Sequence, residues 1–351
     1  MALRELATLD VSGKKVLVRV DFNVELKDVA HVQEGYKLEV AKKTIDTLFK
    51  LGAKQVALLT HFGRPKGDRD PAHSTQQIVS EVARVLDREV VFVPDCIGDE
   101  VSKALVVVPS NAVLLLENVR FYSEEEANDE LFAQALAKPF DVYVNEAFGV
   151  CHRAHASVVR LPGLLPSAAG LHLMEELTRL DAIKESPARP AVAIIGGAKI
   201  ETKLPLIQAF AESYDCVLVG GKIANEALDQ NLSFNDKVLL PKDFDSPNRF
   251  DIGPTTAAYY AQIIKKAKTI VWNGPMGKFE EKPYDIGTKL VLEAILESEA
   301  NVVIGGGESL AILEEVGVFH KIGFVSSGGG AMLEYLSGHA LPGLEALRMT
   351  Q

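Results

Sequence analysis

The stretch KVLVRVDF, from Lys15 to Phe22, carries the pattern that decides the fold: a short run of β-branched and aliphatic residues that ends in polar side chains. Runs of this kind recur along the chain, and amphipathic stretches such as LEVAKKTIDTLFKLG and GTKLVLEAILESE lie between them. Apolar strands that alternate with helices are typical of parallel sheets covered by helices on both faces. The sequence therefore predicts an α/β protein.

The remaining apolar runs fall into two groups, which indicate two domains. The first half contains QVALLTHF, EVVFVPD, AVLLLENV and DVYVNEAF, and the second contains AVAIIGG, CVLVGG, KVLLPKDF, TIVWNG, NVVIGGG and GFVSSGGG. A chain of 351 residues is long enough for two such domains. The stretch between the groups is punctuated by Pro and Gly and has a helical pattern from about Ala168 to Glu185. We predict a domain at 1–167, a hinge helix at 168–186 and a second domain at 187–337.

Composition and charge narrow the possible partners and the location of the protein. The formal net charge of −11 and the pI of about 5.3 give no overall attraction to nucleic acid or to an anionic membrane. No apolar run approaches the length of a membrane span, and the first residues lack the apolar core of a secretion signal. The three cysteines, Cys96, Cys151 and Cys216, are far apart, as expected for reduced thiols. We therefore expect a soluble, cytoplasmic protein.

Polar and mostly cationic side chains follow the strands of the first half. They are Arg19, Asp21, Asn23, His61, Arg64, Arg120, Asn145, His152, Arg153 and His155. Each arginine by itself could equally well pair with a nearby carboxylate or a helix end. Ligands of open parallel sheets, however, bind at the carboxyl ends of the strands, and the guanidinium fork matches carboxylate and phosphate oxygens. The whole set favours a pocket for a small polyanion.

The densest part of this set is VNEAFGVCHRAHAS, from Val144 to Ser157, which could also be a metal site or a thiol nucleophile. Zinc ligands usually come as spaced pairs from two segments, whereas Cys151 and His152 are adjacent and Arg153 would repel a cation. A nucleophilic Cys151 would need a base, and His152 or His155 could serve. The anion site fits the pattern best, with Cys151 as a small packing residue.

Glycine loops follow the strands of the second half: GGAK, GGK, NGPMG, GGGES and SSGGGA. Such loops let backbone N–H groups approach a phosphate at a helix N-terminus, although tight turns also need glycine. Neither G-x-G-x-x-G nor G-x-x-x-x-G-K-[ST] occurs, which argues against a dinucleotide dehydrogenase and a P-loop NTPase. A side-chain anion site in one domain and a backbone phosphate site in the other favour phosphoryl transfer, with domain closure that excludes water.

Eight motifs carry a family resemblance over nearly the whole chain: RVDFN, THFGRP, ENVRF, EAFGVCHRAHAS, GGAKIETK, VWNGPMGKFE, GGGES and SSGGGA. In this order they resemble phosphoglycerate kinases. The resemblance implies two Rossmann-like three-layer domains and reversible phosphoryl transfer from 1,3-bisphosphoglycerate to ADP, giving 3-phosphoglycerate and ATP. It also implies Mg²⁺ as cofactor, hinge-driven closure, small-molecule substrates only and a monomeric state. Residues 338–351, which include LPGLEAL, are expected to pack back on the N-terminal domain.

The resemblance also assigns roles to individual residues. The substrate-binding set comprises Arg19, Asp21, Phe22, Asn23, His61, Phe62, Gly63, Arg64, Arg120, Arg153 and His155. The catalytic set comprises Lys37, Lys199, Lys203 and Gly329. The nucleotide-binding set comprises Gly197, Lys203, Gly220, Asn273, Pro275, Glu280, Gly306, Gly307, Glu308 and Ser309, with Glu280 at the ribose and Glu308 also at the metal.

The chain departs from the family pattern in three places. Lys37 stands where an arginine is usual, Glu308-Ser309 replaces Asp-Thr, and the segment between Glu226 and Asp251 is short. Two other classes of function stay open. A hydride-transferring oxidoreductase would need the dinucleotide fingerprint that the chain lacks. A non-catalytic relative is supported by Lys37 and Glu308, but the retained lysines of GGAKIETK argue against it.

Overall fold

A computed structural model describes residues 3–26, 35–198 and 200–348 of the chain. The described residues form two compact units: one holds the chain up to Leu177 together with the residues from Ala340 onward, and the other is Thr178–His339. The division falls inside the segment predicted as the hinge helix. The resemblance implies that 1–167 is a phosphoglycerate-binding domain and 187–337 a nucleotide-binding domain, and this assignment stays a prediction.

The first unit is built on a parallel six-stranded sheet in the order β3-β4-β2-β1-β5-β6. Its strands are β1 Lys15–Arg19, β2 Gln55–Leu59, β3 Val90–Val93, β4 Val113–Leu116, β5 Val142–Asn145 and β6 Ser167–Ala169. The helices of this part of the chain are α1 Tyr36–Lys50, α2 Val79–Leu86, α3 Gly98–Val107, α4 Ser123–Glu126, α5 Glu130–Ala137, α6 Leu161–Leu164 and α7 Leu171–Glu185. Short 3-10 turns follow β4 and β5, at Val119–Phe121 and Phe148–Val150, and a π-helical turn spans Ala156–Arg160.

Both faces of this sheet are buried, as the apolar runs predict. Side chains alternate between the two faces of a strand, so Val16 and Val18 of β1 pack in one hydrophobic cluster with residues of α1 and α2. Leu17 packs on the opposite face, in a second cluster with residues of α3 and α5. A strand buried on both sides has no polar face, which explains why its sequence is a continuous apolar run.

The second unit repeats this architecture with a parallel sheet in the order β12-β11-β10-β7-β8-β9. Its strands are β7 Ala191–Ile195, β8 Cys216–Val219, β9 Val238–Leu239, β10 Thr269–Asn273, β11 Asn301–Gly305 and β12 Phe324–Ser326. Its helices are α8 Ile200–Ser213, α9 Gly221–Asp229, α10 Pro254–Ile264, α11 Ile286–Leu296, α12 Gly307–Val316 and α13 Gly329–Leu336. The two sheets with flanking helices confirm the predicted α/β fold with parallel sheets.

The chain then returns to the first unit as α14, Pro342–Arg348. Helix α14 lies against the π-helical turn, and the Gly343 amide donates to the Cys151 carbonyl at 2.9 Å. A Cβ on Gly343 would lie 2.7 Å from Val158 Cγ1, so only glycine permits this approach. The tail therefore packs directly beside the segment that carries His152 and Arg153.

Two elements differ from the sequence prediction. The run KVLLPKDF forms only the two-residue edge strand β9. The hinge helix begins at Leu171 rather than near Ala168, because Ser167–Ala169 pairs with β5 as an edge strand and the Gly170 amide donates to the Asn145 carbonyl at 2.8 Å. Across the described ranges, none of the helices combines the length and the apolar character that crossing a bilayer would require.

Candidate functional site

The first unit gathers five of the predicted cationic side chains at the carboxyl ends of neighbouring strands. We call this group the basic site: Arg19, His61, Arg120, Arg153 and His155. They end or follow β1, β2, β4 and β5, which are adjacent in the sheet in the order β4-β2-β1-β5. The arginines lie close enough to His61 to lower its pKa beyond the larger lowering that burial causes. Parallel strand order alone therefore brings these distant residues together.

Arg19 is almost fully buried and holds the basic site in place. Its Nε donates to Ser157 Oγ at 2.9 Å and its Nη1 to the Val20 carbonyl at 2.5 Å. Its Nη2 lies 3.3 Å from His61 Nδ1. A guanidinium group has no acceptor, so Nδ1 must accept and the His61 proton lies on Nε2. Most of the donors of Arg19 are therefore used within the protein.

A buried carboxylate lies beneath this cationic group. Glu125 accepts hydrogen bonds from the Ser157 amide at 2.8 Å and from Ser157 Oγ at 2.6 Å. Burial raises the pKa of Glu125, although Arg19 and the bonds from Ser157 act in the opposite direction. Sequence reasoning missed Glu125, because nothing local distinguishes it from Glu124 and Glu126 in the same acidic run.

Both histidines of the basic site are neutral near pH 7. Burial lowers the pKa of His61 well below its usual value, and the neighbouring arginines lower it further. The same two causes, burial first and then Arg120 and Arg153, lower the pKa of His155 to about 4. The positive charge of the site therefore comes from its arginines, while the imidazoles offer neutral donors or acceptors.

Arg120 has a buried N–H group that no acceptor among the described residues satisfies. Its Nη1 donates to the Gly63 carbonyl at 2.9 Å, and its Nε lies 3.1 Å from Glu126 Oε1. Its Nη2 is buried and has no hydrogen-bond partner among the described residues. Burial and the nearby Arg153 lower the pKa of Arg120 to about 10. An unpartnered buried donor is costly and needs an explanation, and an anion would supply the missing acceptor.

Beside the basic site, a cavity of about 720 Å³ brings Lys37 together with other predicted residues. Its lining includes Asn23, Lys37, Phe62, Gly63 and Arg64. Lys37 Nζ donates to the Asn23 carbonyl at 3.1 Å, and Asn23 Oδ1 accepts from the Gly63 amide at 2.8 Å. The Arg64 side chain is exposed. Lys37 therefore lines an open cavity together with Asn23 and Arg64.

The loop after β2 is ordered by Asn118, which sequence reasoning missed. Asn118 Nδ2 donates to the carbonyls of Phe62 at 2.6 Å and His73 at 2.8 Å, and its Oδ1 accepts from the Phe62 amide at 3.2 Å. Gly63 has a φ of +64°, and a Cβ there would lie 2.1 Å from His73 Cδ2. The position of Asn118 just after the apolar run of β4 was the feature of the sequence that could have identified it.

Two of the predicted substrate-binding residues are core residues. The side chains of Phe22 and Phe62 are buried in the hydrophobic cluster beneath the sheet. The backbone groups of both residues are also engaged: the Phe22 amide donates to Thr60 Oγ1 at 3.0 Å, and the Phe62 amide and carbonyl are bonded to Asn118. Asp21 lies at the edge of the site, with Oδ1 3.8 Å from His61 Nδ1.

Cys151 is a buried packing residue, and its surroundings argue against a thiol nucleophile. Its thiol contacts the Ala147 carbonyl at 3.5 Å, and burial raises its pKa to about 12. Reactive cysteines need a lowered pKa and access to solvent. The metal alternative is also disfavoured, because Arg153 Nε donates to His152 Nε2 at 3.3 Å and so occupies a nitrogen that a metal would need.

In the second unit the glycine loops converge at the carboxyl ends of the strands. We call this group the glycine-loop site: Gly196, Gly197, Gly220, Asn273–Pro275 and Gly305–Ser309. The Gly197 amide donates to the Pro275 carbonyl at 3.1 Å, and the Gly221 amide to the Met276 carbonyl at 2.7 Å. A Cβ on Gly196 would lie 2.0 Å from the Pro275 oxygen. Glycine is thus needed for loop packing here, in addition to any role at a phosphate.

Lys203, in the first turn of α8, is largely buried beneath these loops. Its ammonium donates to Asn273 Oδ1, and Asn273 Nδ2 donates to the Gly305 carbonyl at 2.6 Å. Burial lowers the pKa of Lys203 to about 8, and the charge of Glu308 opposes this shift. Lys203 is therefore a cation held in a desolvated place, where an anionic ligand would restore its usual pKa.

Glu308 lies in the first turn of α12, close to the first glycine loop. A Cβ on Gly197 would be 3.4 Å from Glu308 Oε2. Burial raises the pKa of Glu308, the charge of Glu280 raises it further, and Lys203 lowers it. The hydroxyl of the neighbouring Ser309 is buried and accepts from the Gly274 amide at 2.8 Å. Glu308 is therefore available to a ligand, whereas Ser309 supports the loops.

The two last glycine loops also meet, since a Cβ on Gly329 would lie 3.2 Å from Gly306 Cα. A Cβ on Gly220 would lie 2.6 Å from Met276 Sδ, so Gly220 also serves packing.

The predicted catalytic Lys199 lies outside the described residues. The remaining glycine of the predicted set, Gly307, begins α12.

A cavity of about 450 Å³ opens beside the glycine-loop site. Four predicted residues line it: Gly197, Pro275, Glu280 and Glu308. Sequence reasoning missed other lining residues, namely Asn225, Asp229, Asn248, Arg249 and Phe250. All of them lie in or beside the segment that is short in this chain, where no family motif was available as a signal.

Comparisons with known proteins agree with this architecture. The family model described as phosphoglycerate kinase matches residues 6–243 and 230–339. The phosphoglycerate kinase of Moorella thermoacetica is 40% identical over 392 aligned residues, which cover 99% of each chain. That of Geobacter metallireducens is 37% identical over 394 residues, again with 99% of each chain covered.

Solved structures give the same result for the fold. The crystal structure of phosphoglycerate kinase from Pyrococcus horikoshii aligns with a TM-score of 0.88 at 30% identity and covers 99% of each chain. The structure of phosphoglycerate kinase from Coxiella burnetii aligns with a TM-score of 0.81 at 29% identity and the same coverage. Because the family model spans most of the chain and relatives near 40% identity cover almost all of it, the chain belongs to the phosphoglycerate kinase family.

Proposed function

We propose that the basic site and its cavity hold the phosphoglycerate, and that the glycine-loop site and its cavity hold the nucleotide. The reaction itself is that of the family: reversible transfer of a phosphoryl group from 1,3-bisphosphoglycerate to ADP, giving 3-phosphoglycerate and ATP in glycolysis and gluconeogenesis. This makes the chain a phosphotransferase with a carboxyl group as acceptor. The main observation that supports placing the phosphoglycerate at the basic site is the buried Nη2 of Arg120, which has no hydrogen-bond partner among the described residues.

At the phosphoglycerate side, the proposal gives different tasks to the arginines. Arg120 has a free buried donor and Arg64 is exposed beside the cavity, so both are suited to phosphate or carboxylate oxygens. Arg19 has already committed most of its donors and acts mainly by orienting His61. The neutral imidazole of His61 then donates from Nε2 without adding charge.

At the nucleotide side, the glycine loops would surround the phosphates. Backbone N–H groups at the start of α12 and α13 carry the partial positive charge of helix N-termini. Lys203 adds a full charge in a desolvated place. Glu280 lines the same cavity and supplies a carboxylate for the ribose hydroxyls. Gly329 belongs to the proposal as the residue that begins α13.

Phosphoryl transfer depends mostly on positioning and on cancelling the charge of the transferred group. In the proposal, Lys37 and Lys203 supply that charge from the two sides, and Lys199 joins them as the resemblance implies. Each of these cations is more effective where water is excluded. The proposal therefore includes hinge-driven closure, so that the phosphoryl group is transferred to ADP and not to water.

The residues present fit a magnesium ion that is bound together with a nucleotide. No cluster of three or more metal-ligating side chains occurs in the described ranges, but Mg²⁺ is commonly held by one or two carboxylates, substrate phosphates and waters. The raised pKa of Glu308 marks a carboxylate that a cation would stabilise. Glu308 would hold the ion, whose charge would offset that of the phosphates. Cytoplasmic location and a monomeric state complete the proposal.

One coupled assay tests the proposed function. The protein is mixed with ATP, 3-phosphoglycerate and Mg²⁺, and the 1,3-bisphosphoglycerate formed is consumed by a dehydrogenase that oxidises NADH. We expect turnover that requires all three components, and gel filtration should give the mass of one 38.1 kDa chain. The nicotinamide cofactor alone should give no change, which separates this reaction from hydride transfer by the chain itself.

Binding measurements distinguish the remaining alternative. A non-catalytic relative would bind ADP and 3-phosphoglycerate in a calorimeter and yet show no turnover at any Mg²⁺ concentration. That outcome would overturn the assignment of catalytic roles to Lys37 and Lys203 while leaving the two binding sites intact.

A further inference from the structure

The fully buried carboxylate beneath the basic site has no task in the proposed function. Glu125 lies on the short helix α4, and its exposed fraction is 0% although it stands in a run of three glutamates. Burying a charged group is costly unless hydrogen bonds and opposite charges compensate for the lost water. The bonds that Glu125 makes must therefore offset its burial.

Both carboxylate oxygens of Glu125 are bonded to one residue of the π-helical turn. Oε2 accepts from the Ser157 amide at 2.8 Å, and Oε1 accepts from Ser157 Oγ at 2.6 Å. The Ser157 carbonyl accepts from the Tyr143 hydroxyl at 2.8 Å, so the backbone of Ser157 is held from two sides. His155 Nδ1 lies 3.9 Å from Oε1, which is beyond hydrogen-bond distance. Glu125 therefore holds the hydroxyl of Ser157 in a defined place.

The Ser157 hydroxyl connects this carboxylate to the arginine of β1. Arg19 Nε lies 2.9 Å from Ser157 Oγ, and a guanidinium can only donate, so the serine oxygen accepts. The single proton of the hydroxyl is then left for Glu125. At the other end of Arg19, Nη2 lies 3.3 Å from His61 Nδ1, which must accept for the same reason. Every hydrogen bond therefore has a fixed direction along the series Glu125, Ser157, Arg19 and His61.

We call these four residues the buried relay. They come from α4, the π-helical turn, β1 and the segment that follows β2, and their exposed fractions are between 0% and 3%. In such surroundings, hydrogen bonds polarise one another, and a group that loses its partner is costly. A change at one end of the buried relay should therefore alter the other end, where the imidazole of His61 belongs to the basic site.

From these observations we propose that Glu125 is a positioning residue, which acts through Ser157 and Arg19 to hold the His61 imidazole in one orientation with its proton on Nε2. The inference rests on the proposed function, since it takes 3-phosphoglycerate to occupy the basic site. A donor that is already fixed loses less freedom when its ligand binds. The negative charge of Glu125 also acts on Arg19 and Arg120, and it offsets their mutual repulsion before an anion arrives.

Calorimetric titration of 3-phosphoglycerate into variants of the buried relay tests the inference. Glu125→Gln keeps the shape, but the Ser157 amide needs the remaining oxygen, so the NH₂ group must face Ser157 Oγ and reverse that bond. We expect binding to weaken by roughly 3–30-fold, up to the scale of one hydrogen bond to a charged group. Ser157→Ala keeps the carboxylate but cuts the connection, and it should have a similar effect. Glu124→Gln, at an exposed position of the same helix, should bind as the wild type does.

A double-mutant cycle separates positioning from a purely structural role. In His61→Ala the end of the buried relay is missing, so adding Glu125→Gln should weaken binding by less than about twofold. Damage to the fold would instead lower the affinity by the same factor in both backgrounds. The melting temperature of each variant shows whether the fold is intact, and Ser157→Ala decides the question if Glu125→Gln does not fold.

NMR of isotope-labelled histidine gives a readout that needs no ligand. Ring-nitrogen signals distinguish the two neutral tautomers, and the His61 signals are identified by their absence in His61→Ala. We expect the Nε2–H tautomer of His61 in the wild type and a mixture of both tautomers in Glu125→Gln and in Ser157→Ala. An unchanged tautomer in both variants would contradict the buried relay.

The outcomes also separate this inference from the proposed function. If the wild type binds no 3-phosphoglycerate, the proposed function is wrong and the inference falls with it. If the wild type binds it and both Glu125→Gln and Ser157→Ala bind it equally well, the site stands and the positioning role of Glu125 is overturned. Equal losses with and without His61 would assign Glu125 to the fold alone.

Discussion

The two units share the same architecture, but the anion sites proposed in them are built in opposite ways. At the basic site, charged side chains converge from four strands and a buried carboxylate, Glu125, lies beneath them. At the glycine-loop site, most of the surface is backbone, and the charged side chains near it include Lys203, Glu280 and Glu308. One site depends on placing long side chains, and the other on bringing chain segments close together.

This difference predicts different sensitivities to mutation. A side-chain site can lose one donor and keep its shape, so single substitutions should alter affinity or rate selectively. A backbone site cannot lose its donors by substitution, but it collapses if a glycine is replaced, because a Cβ on Gly196 or Gly274 would lie within 2.5 Å of backbone atoms of a neighbouring loop. Informative variants of the second site are therefore those of its few charged residues.

The largest effect should come from Lys37. As a surface lysine it would be dispensable, but Lys37 lines the cavity of the first unit, and the resemblance places the family's catalytic arginine here. Lys37→Ala should lower kcat by roughly 10²–10³-fold, the scale for one preorganised donor, with little change in either KM. Lys37→Arg should stay active, since it keeps the charge and adds a planar fork.

Steady-state kinetics at saturating substrates gives the measurement. Lys43→Ala serves as the matched control, because Lys43 is an exposed lysine of the same helix, and it should turn over as the wild type does. If Lys37→Ala turns over as fast as the wild type, Lys37 is only a surface residue, and another cation must act at the transferred group.

Arg64 tests whether the two sites are independent. Arg64→Ala should weaken 3-phosphoglycerate binding by about 1.5–3 kcal/mol, the range for a hydrogen bond to a charged group. Affinity for ADP should not change, since Arg64 lies in the other unit. Calorimetry with each ligand alone measures both values, with Arg84→Ala as an exposed arginine outside the cavity. Equal losses of affinity for 3-phosphoglycerate and ADP would contradict the assignment of one ligand to each site.

Glu308 tests the metal part of the glycine-loop site. Glu308→Gln keeps the shape but removes the charge, and it should lower the apparent Mg²⁺ affinity by roughly 10–100-fold in a titration of activity against Mg²⁺. Glu315→Gln, on an exposed part of the same helix, should leave the titration unchanged. Full activity of Glu308→Gln at limiting Mg²⁺ would show that Glu308 is only a first-turn glutamate of α12, where the helix dipole favours a negative charge.

The smallest effect is a pH dependence of ADP binding that comes from Lys203. Its pKa is lowered to about 8 in the free protein, and bound phosphates should raise it towards the usual 10.5. Above pH 8 the complex then holds more protons than the free protein, so ADP affinity should fall as pH rises, by at most about tenfold per pH unit for one proton.

Calorimetry between pH 7 and 10 measures this dependence. Lys203→Arg carries a charge that does not titrate in this range and should abolish the decline. Between pH 7 and 9, binding of 3-phosphoglycerate should show no such decline in the wild type, because Lys203 lies in the other unit and Arg120, whose pKa is about 10, stays largely protonated there. An identical decline in Lys203→Arg would assign the proton to another group.

The sequence alone determined the fold class, the two parallel sheets and most of the polar residues at the strand ends. It could do so because a strand buried on both faces must be apolar throughout, and because parallel strands present their following residues at one edge. The family resemblance added the reaction, which the comparisons confirm. The roles assigned to single residues stay predictions.

Only the tertiary structure decided what lies beneath and beside those residues. Glu125 looks like any surface glutamate in the acidic run that follows β4, and burial under Arg19 comes from the packing of α4 on the π-helical turn. Phe250 follows no motif, and its place in the wall of the cavity beside the glycine-loop site is held by a hydrogen bond from the amide of the distant Lys278. Local patterns carry information about local geometry and burial, whereas contacts between distant segments arise only when the chain has folded.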